Sequence, residues 1–251
     1  MLTSHRKNLI LERLQRDGQF IAKEFSRELG LSEDTIRRDL RELAGDGRLQ
    51  RVHGGALPAS PAVADFAVRQ RLGSEGKAAI GRAAAALVQP GQVIILDGGT
   101  TAVQVARHLA QNLRATVVTH SPSVAVALVA HSQVEVVLLG GRLFKHSIVA
   151  VGAAVIEAAA QVRADIFFMG VTGIHPEAGL STGDLEEAHV KRALSRRAAE
   201  TIVLASSEKL HAASAYVIVP LSEVSGMVVE ADAPEELLAP FKRAGLTVTR
   251  A

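Results

Sequence analysis

Residues 20–55, FIAKEFSRELGLSEDTIRRDLRELAGDGRLQRVHGG, decide the reading of the amino-terminal part of the chain. Ile21, Phe25 and Leu29 recur every fourth residue, which predicts a short helix with one buried face. Gly30 follows, the residue type that takes up left-handed backbone where a helix closes. Ser32 then stands as an N-cap, with Glu33 and Asp34 facing the positive end of a second helix. Leu31 and Ile36 occupy the positions that staple a helix entry. In that second helix Ile36, Leu40 and Leu43 form the buried stripe. At about 100° per residue, Arg38 and Arg41 point away from it, with Arg37 and Thr35 on the flanks. The segment GRLQRVHGG (47–55) then predicts a β-hairpin carrying Arg48, Arg51 and His53.

A helix whose outer face carries three arginines and an early threonine suits the major groove of double-stranded DNA. Arginine binds guanine bidentately, and threonine reaches phosphate or a thymine methyl. The expected DNA-facing set is Ser32, Thr35, Arg37, Arg38, Arg41, Arg48, Arg51 and His53. Arg37 and Arg38 are expected at base edges or adjacent phosphates, and Thr35, Arg41, Arg51 and His53 as positioning contacts. A helical hairpin that is charged only for solubility would not need cap, turn, stripe and hairpin to agree, so the prediction is a winged helix-turn-helix over residues 1–56. A first helix over 5–17, with Leu9, Ile10, Leu11 and Leu14 apolar, completes a three-helix module.

The 251-residue chain is long enough for two ordinary domains. It contains no cysteine, which excludes disulfides and thiolate chemistry and fits a reducing cytoplasm. No apolar stretch reaches membrane-spanning length, so a soluble protein is expected. Residues 1–55 hold 11 Lys+Arg against 9 Asp+Glu, and the remainder holds 17 of each. The whole net charge of +2 therefore lies in the DNA-facing segment. So small an excess makes affinity depend on where the arginines point and on a second copy.

The segment ALPASPAVADF, rich in Ala, Pro and Ser, predicts a linker over 57–74. A helix is expected over 75–88. From Val93 onward, apolar runs at 93–96, 116–119, 134–140, 166–170, 201–205, 216–219 and 226–229 alternate with helical stretches near 101–111, 122–131, 152–160, 184–198 and 234–243. That alternation predicts an open, mainly parallel α/β domain over 75–251, covered on both faces.

Ligands of such sheets bind at the carboxyl ends of the strands. Four strand ends carry the signal: LDGGTT (96–101), VTHS (118–121), LLGGRL (138–143) and MGVTG (169–173). In the first, Asp97 ends a strand, Gly98 and Gly99 turn, and Thr100 and Thr101 open a helix whose bare N–H groups suit an anion. The segment GDLEEAHVKRALSRR (183–197) reads as a capping box, with Glu187 and Lys191 an i,i+4 pair and trailing basic residues that suit a helix C-terminus. Lys209 could neutralise a phosphate or be a plain surface lysine. There is no P-loop, GxGxxG, HExxH or GxSxG, so no nucleotide cofactor, metal or nucleophilic serine is expected.

With TIRRDL (35–40), RVHGGA (51–56), LDGGTT (96–101), LLGG (138–141) and ADIFFMGVTGI (164–174), nearly the whole chain resembles the DeoR family of bacterial transcriptional regulators. The resemblance implies a winged helix on operator DNA and a carboxy-terminal domain shaped like ribose-5-phosphate isomerase. That domain would sense a phosphorylated sugar or related metabolite, in a repressor that works as a dimer or tetramer. It places Asp97, Gly98, Gly99, Thr100 and Thr101 at the effector's phosphate end. Thr119, His120, Gly140, Gly141, Arg142, Gly170 and Lys209 would line the same cleft. His120 stands where the family usually has Asn, and Ser206 where it usually has Asp. The related isomerases carry paired acids in the segment matching MGVTGI, and this chain has none there, so no base for proton transfer is expected. Two other readings stay open: an active sugar-phosphate isomerase, and an α/β domain that only oligomerises.

Overall fold

The computed structural model describes residues 2–60, 66–71 and 73–251. Helix α1 (Thr3–Asp17) closes on Gly18 in left-handed backbone, and a two-residue strand β1 (Phe20–Ile21) follows. Helix α2 (Ala22–Leu29) closes on left-handed Gly30. Helix α3 (Glu33–Gly45) starts at Ser32, whose hydroxyl accepts from the Thr35 amide at 3.3 Å. Strands β2 (Leu49–Val52) and β3 (Gly55–Pro58) form the hairpin, and β1 adds to β3 in the antiparallel order β1-β3-β2. Ile10, Leu14, Phe20, Phe25, Ile36, Leu40 and Leu43 share one core.

Ile21 corrects the helical reading of its segment. It lies in β1 and is exposed, while Phe20 is buried, because strand alternation sends consecutive side chains to opposite sides. Gly55 is forced by the approach of β1: a Cβ there would meet the Phe20 carbonyl oxygen at 1.7 Å. The linker also departs from expectation. Leu57 and Pro58 complete β3, Ala59 bridges to Ala213, and residues 66–71 form helix α4 (Phe66–Arg71). The rest of the expected linker, 61–65 and 72, lies outside the described residues.

Helix α5 (Ser74–Ala85) leads into an alternating series: β4 (Val93–Leu96), α6 (Thr100–His108), β5 (Ala115–Thr119), α7 (Pro122–Leu128) and β6 (Val134–Leu138). A hairpin of β7 (Arg142–Phe144) and β8 (Val149–Val151) precedes α8 (Ala153–Ala159) and β9 (Ala164–Gly170). A second hairpin, β10 (Gly173–His175) and β11 (Gly179–Thr182), precedes α9 (Leu185–Ser195) and β12 (Ala198–Leu204). The chain ends with β13 (Tyr216–Val217), β14 (Gly226–Val229), α10 (Glu235–Arg243) and β15 (Thr247–Arg250).

Seven strands form one parallel sheet in the order β15-β14-β12-β9-β4-β5-β6. Ile94, Leu96 and Phe168 face one core with α5, α6 and α7; Ile95, Phe167 and Met169 face the other with α8, α9 and α10. Continuous apolar strands follow, since each face must be buried. The run at 216–219 yields only β13, which pairs with β11 in a small antiparallel sheet instead of joining the large one. Winding proceeds from β4 toward β6, then returns across β4 to β9 and outward, so the order reverses between β4 and β9. That reversal is where a crevice opens. No helix among the described residues is long and apolar enough to cross a membrane.

Candidate functional site

Helix α3 keeps its charged face in solvent. Arg37, Arg38 and Arg41 are exposed, as are Arg48, Arg51 and His53 on and beside the wing, and Ser32 at the helix start. The three arginines are not equivalent. Arg37 donates to Glu33 at 2.8 Å and lies 3.6 Å from Asp34, so nucleic acid must compete with the helix's own first turn. Arg38 and Arg41 side chains have no hydrogen bond or salt bridge among the described residues. The hydroxyls of Ser32 and Thr35 lie 2.9 Å apart, occupied with capping. On the inner side, Arg6 of α1 and Asp39 of α3 form a buried two-pronged ion pair, with Nη2 to Oδ1 at 2.9 Å. The sequence reading missed this pair, which fixes the angle at which α3 is presented.

In the α/β domain, Asp97 sits at the end of β4 with no exposed surface. Its Oδ1 accepts from the Gly98 amide at 2.7 Å and faces His120 Nε2 at 2.9 Å. Its Oδ2 accepts from the Gly170 amide at 2.8 Å and from the Lys191 ammonium. His120 Nδ1 in turn lies 2.8 Å from the Ala150 carbonyl. Burial works against ionisation of Asp97, but Lys191 and His120 outweigh it and hold the carboxyl well below the usual range. Burial likewise opposes the charge on Lys191, and Asp97 with Glu187 raises its pKa on balance. Asp97 therefore ties together β4, β5, β9 and α9, and its oxygens are all taken. It shapes the turn instead of touching a ligand.

In front of this knot lies a cavity of about 570 Å³ at the carboxyl ends of β4, β9 and β12. Of the residues expected at an effector, Gly98, Gly99, Thr100, Thr101, Gly170 and Lys209 line it. Asp97, Thr119 and His120 lie behind the wall, fully buried. Gly140, Gly141 and Arg142 do not line it. Gly141 is small for packing, because a Cβ would meet Val155 at 2.7 Å and the Val151 carbonyl at 2.9 Å, and Arg142 is exposed in β7. Helix α6 begins at Gly99 with no side-chain cap, leaving its first turn open to the cavity beside Thr100 and Thr101.

Several cavity residues escaped the sequence reading. Arg69 and Lys77 come from α4 and α5, ahead of the first strand; Lys77 donates to the Arg69 carbonyl at 2.7 Å. Lys191 and Glu187, read only as an i,i+4 pair, are buried in the wall, because α9 turns that face to the sheet. Asp184, Glu208 and Glu230 also reach the cavity, from segments other than the one that matches the isomerases' paired acids. Each is engaged. Asp184 caps α9 by accepting from the Glu187 amide at 2.9 Å, Glu208 accepts from Ser206 at 2.6 Å, and Glu230 accepts from the Ser207 amide at 2.8 Å. Glu187 accepts from Thr182 at 3.0 Å. Lys209 is the contrast: it is buried, and its ammonium has no hydrogen bond or salt bridge among the described residues. Burial lowers its pKa to about 8; Glu208 opposes the shift, while Lys77, Arg69 and Lys191 add to it. No cluster of His, Cys, Asp and Glu suited to a metal occurs among the described residues.

A helix with an exposed arginine face on one module and a cation-lined cavity on the other fit a ligand-responsive regulator. The comparisons agree. Residues 6–61 match the DeoR-like helix-turn-helix domain and residues 73–231 the DeoR C terminal sensor domain. The HTH-type transcriptional regulator GlpR of Haloferax volcanii is 32% identical over 250 residues, covering 99% of this chain and 98% of that protein. The glycerol-3-phosphate regulon repressor of Escherichia coli K12 is 28% identical over 239 residues, covering 95% of each. Among solved structures, ribose 5-phosphate isomerase A of Methanocaldococcus jannaschii is a distant match, with TM-score 0.40, 20% identity and 54% of each chain covered. The chain belongs to the DeoR family: it is a DNA-binding transcriptional regulator with a winged helix and a sensor domain.

Proposed function

We propose that this protein is a repressor of a carbohydrate operon that leaves its operator when a phosphorylated sugar or related anionic metabolite fills the cavity. The observation that supports the anion is Lys209, a buried residue whose ammonium has no hydrogen bond or salt bridge among the described residues, in a cavity onto which the uncapped start of α6 also opens. A buried unpaired charge is costly, and an anion relieves it. A phosphorylated effector also fits the name of the Escherichia coli relative. The protein acts in the cytoplasm as a homo-oligomer, a dimer or tetramer that pairs two winged helices on two half-sites; sedimentation of the full chain measures this.

The test is fluorescence anisotropy on the chain's own upstream DNA at fixed salt, titrated with sugar phosphates and their unphosphorylated sugars. Release by a phosphorylated compound and not by its parent sugar is expected; tight binding unmoved by the panel would overturn the proposal. Turnover of ribose 5-phosphate is not expected, because the segment MGVTGI (169–174) lacks the paired acids that the related isomerases carry there. Measurable isomerisation would revive the enzyme reading.

On the DNA side, Arg38→Ala is expected to weaken operator binding by roughly 1–3 kcal/mol and random-sequence binding by less. Arg37→Ala loses less, since Glu33 and Asp34 already compete for that guanidinium. Equal loss on both DNAs would make Arg38 a phosphate contact.

A further inference from the structure

We propose that residues 58–60, running directly on from the wing, form a strap on the outer side of the cavity wall, and that Ser60 couples the cavity's occupant to the wing. This rests on the effector reading above.

Pro58 belongs to both modules. Its Cα registers with Leu49 in the wing hairpin, and its carbonyl accepts from the Ala213 amide at 3.0 Å. Ala59 forms a parallel bridge with Ala213, and the Ser60 amide donates to the Ala213 carbonyl at 3.3 Å. The buried Ser60 hydroxyl donates to the carbonyl of Thr172. On the other side of the same wall, Thr172 and Ser214 line the cavity, their hydroxyl oxygens 2.7 Å apart. Thr172 Oγ1 donates to the Ser181 carbonyl at 3.1 Å, so the proton between the two hydroxyls belongs to Ser214.

That proton is where an occupant intervenes. A ligand oxygen within reach of Ser214 competes with Thr172 for it. Withdrawing that proton leaves Thr172 without its Ser214 donor and lets the peptide after Thr172 shift, and that peptide carries the carbonyl that holds the Ser60 hydroxyl. No residue intervenes between the wing strand and the strap, so there is no slack to absorb the shift. The two arrangements of the strap supply the differential contacts that a ligand needs to bias an equilibrium.

The experiment uses the full chain and Ser60→Ala, which removes the hydroxyl and leaves both backbone pairings. The probes are ribose 5-phosphate, fructose 1-phosphate and sn-glycerol 3-phosphate. Melting temperature reads binding, and the ratio of operator Kd with and without probe reads coupling. Ser60→Ala is expected to keep the wild-type melting shift with the effective probe while its coupling ratio falls about fivefold or more. Hydrogen exchange at the Ser60 and Ala213 amides is expected to be slow in the free protein and faster with that probe. A melting shift and release in wild type, with Ser60→Ala coupling unchanged and exchange at both amides unmoved, overturns the strap alone. Loss of the melting shift in Ser60→Ala also overturns it, by making Ser60 part of the binding wall. No melting shift with any probe overturns the effector reading and the strap's trigger together.

Discussion

Asp97→Ala is expected to destabilise the sensor domain by about 3 kcal/mol or more. The substitution leaves the Gly98 and Gly170 amides without their acceptor and strips the buried Lys191 of its shorter ion pair. Glu187, 3.5 Å from the ammonium, offsets part of the loss. Lys191→Met in the Asp97→Ala background is expected to recover stability relative to Asp97→Ala alone, because it removes the charge that was left behind. The pH dependence has a definite sign. The folded-state pKa of Asp97 is depressed, so its contribution is complete above the unfolded aspartate value of about 3.9 and fades as pH falls below that. Wild type and Asp97→Ala should therefore differ near neutral pH and converge in acid. The chain has no tryptophan and one tyrosine, so far-UV circular dichroism in urea is the suitable measurement. A loss below about 1 kcal/mol would show that the knot is not what holds the turn.

What the sequence made legible follows physical periodicity. The stripe Ile36, Leu40 and Leu43, the Ser32 cap and the Gly30 stop are local, and α3 forms where they place it. The buried parallel strands announced themselves as apolar runs. Short strands such as β7, β8, β10 and β11 did not, because two- to four-residue ladders need no apolar run and depend on neighbours distant in sequence. Part of the cavity was visible for a similar reason. Gly98, Gly99, Thr100 and Thr101 follow a strand directly, so their position at its carboxyl end is implied by the run before them. Lys77 and Arg69 reach the same cavity from helices ahead of the sheet, and no local pattern encodes that return. The Glu187 and Lys191 spacing was legible and the burial of the pair was not. A spacing of four describes a shared face and says nothing of whether that face meets solvent or the sheet. Asp97 and His120 show the converse: a polar strand end signals a site, while burial decides whether the side chain touches the ligand or holds the loop that does.

Lys209→Met is expected to act in opposite directions on stability and on binding. Lys209 is buried in the cavity wall with no hydrogen bond or salt bridge to another described residue, and burial lowers its pKa from 10.5 to about 8. Replacing it with a methionine of similar length removes a cost of roughly 2–3 kcal/mol at neutral pH, so the unliganded variant should melt higher than wild type. The cost is fully present below about pH 8 and fades toward the ordinary lysine value of about 10.4, because there the unfolded chain binds the proton that the folded protein has released. The melting advantage of the variant should shrink over that interval. Ligand affinity moves the other way. A charge-assisted hydrogen bond from Lys209 to an anion contributes about 1.5–3 kcal/mol, so the variant should bind the effective sugar phosphate roughly 10–100-fold more weakly. In wild type that affinity should decline above about pH 8 as the free protein loses the Lys209 proton, a dependence the variant lacks. Calorimetric titration across pH 7–10 measures both. A variant less stable than wild type with unchanged affinity would remove Lys209 from the site and return the anion to the start of α6 alone.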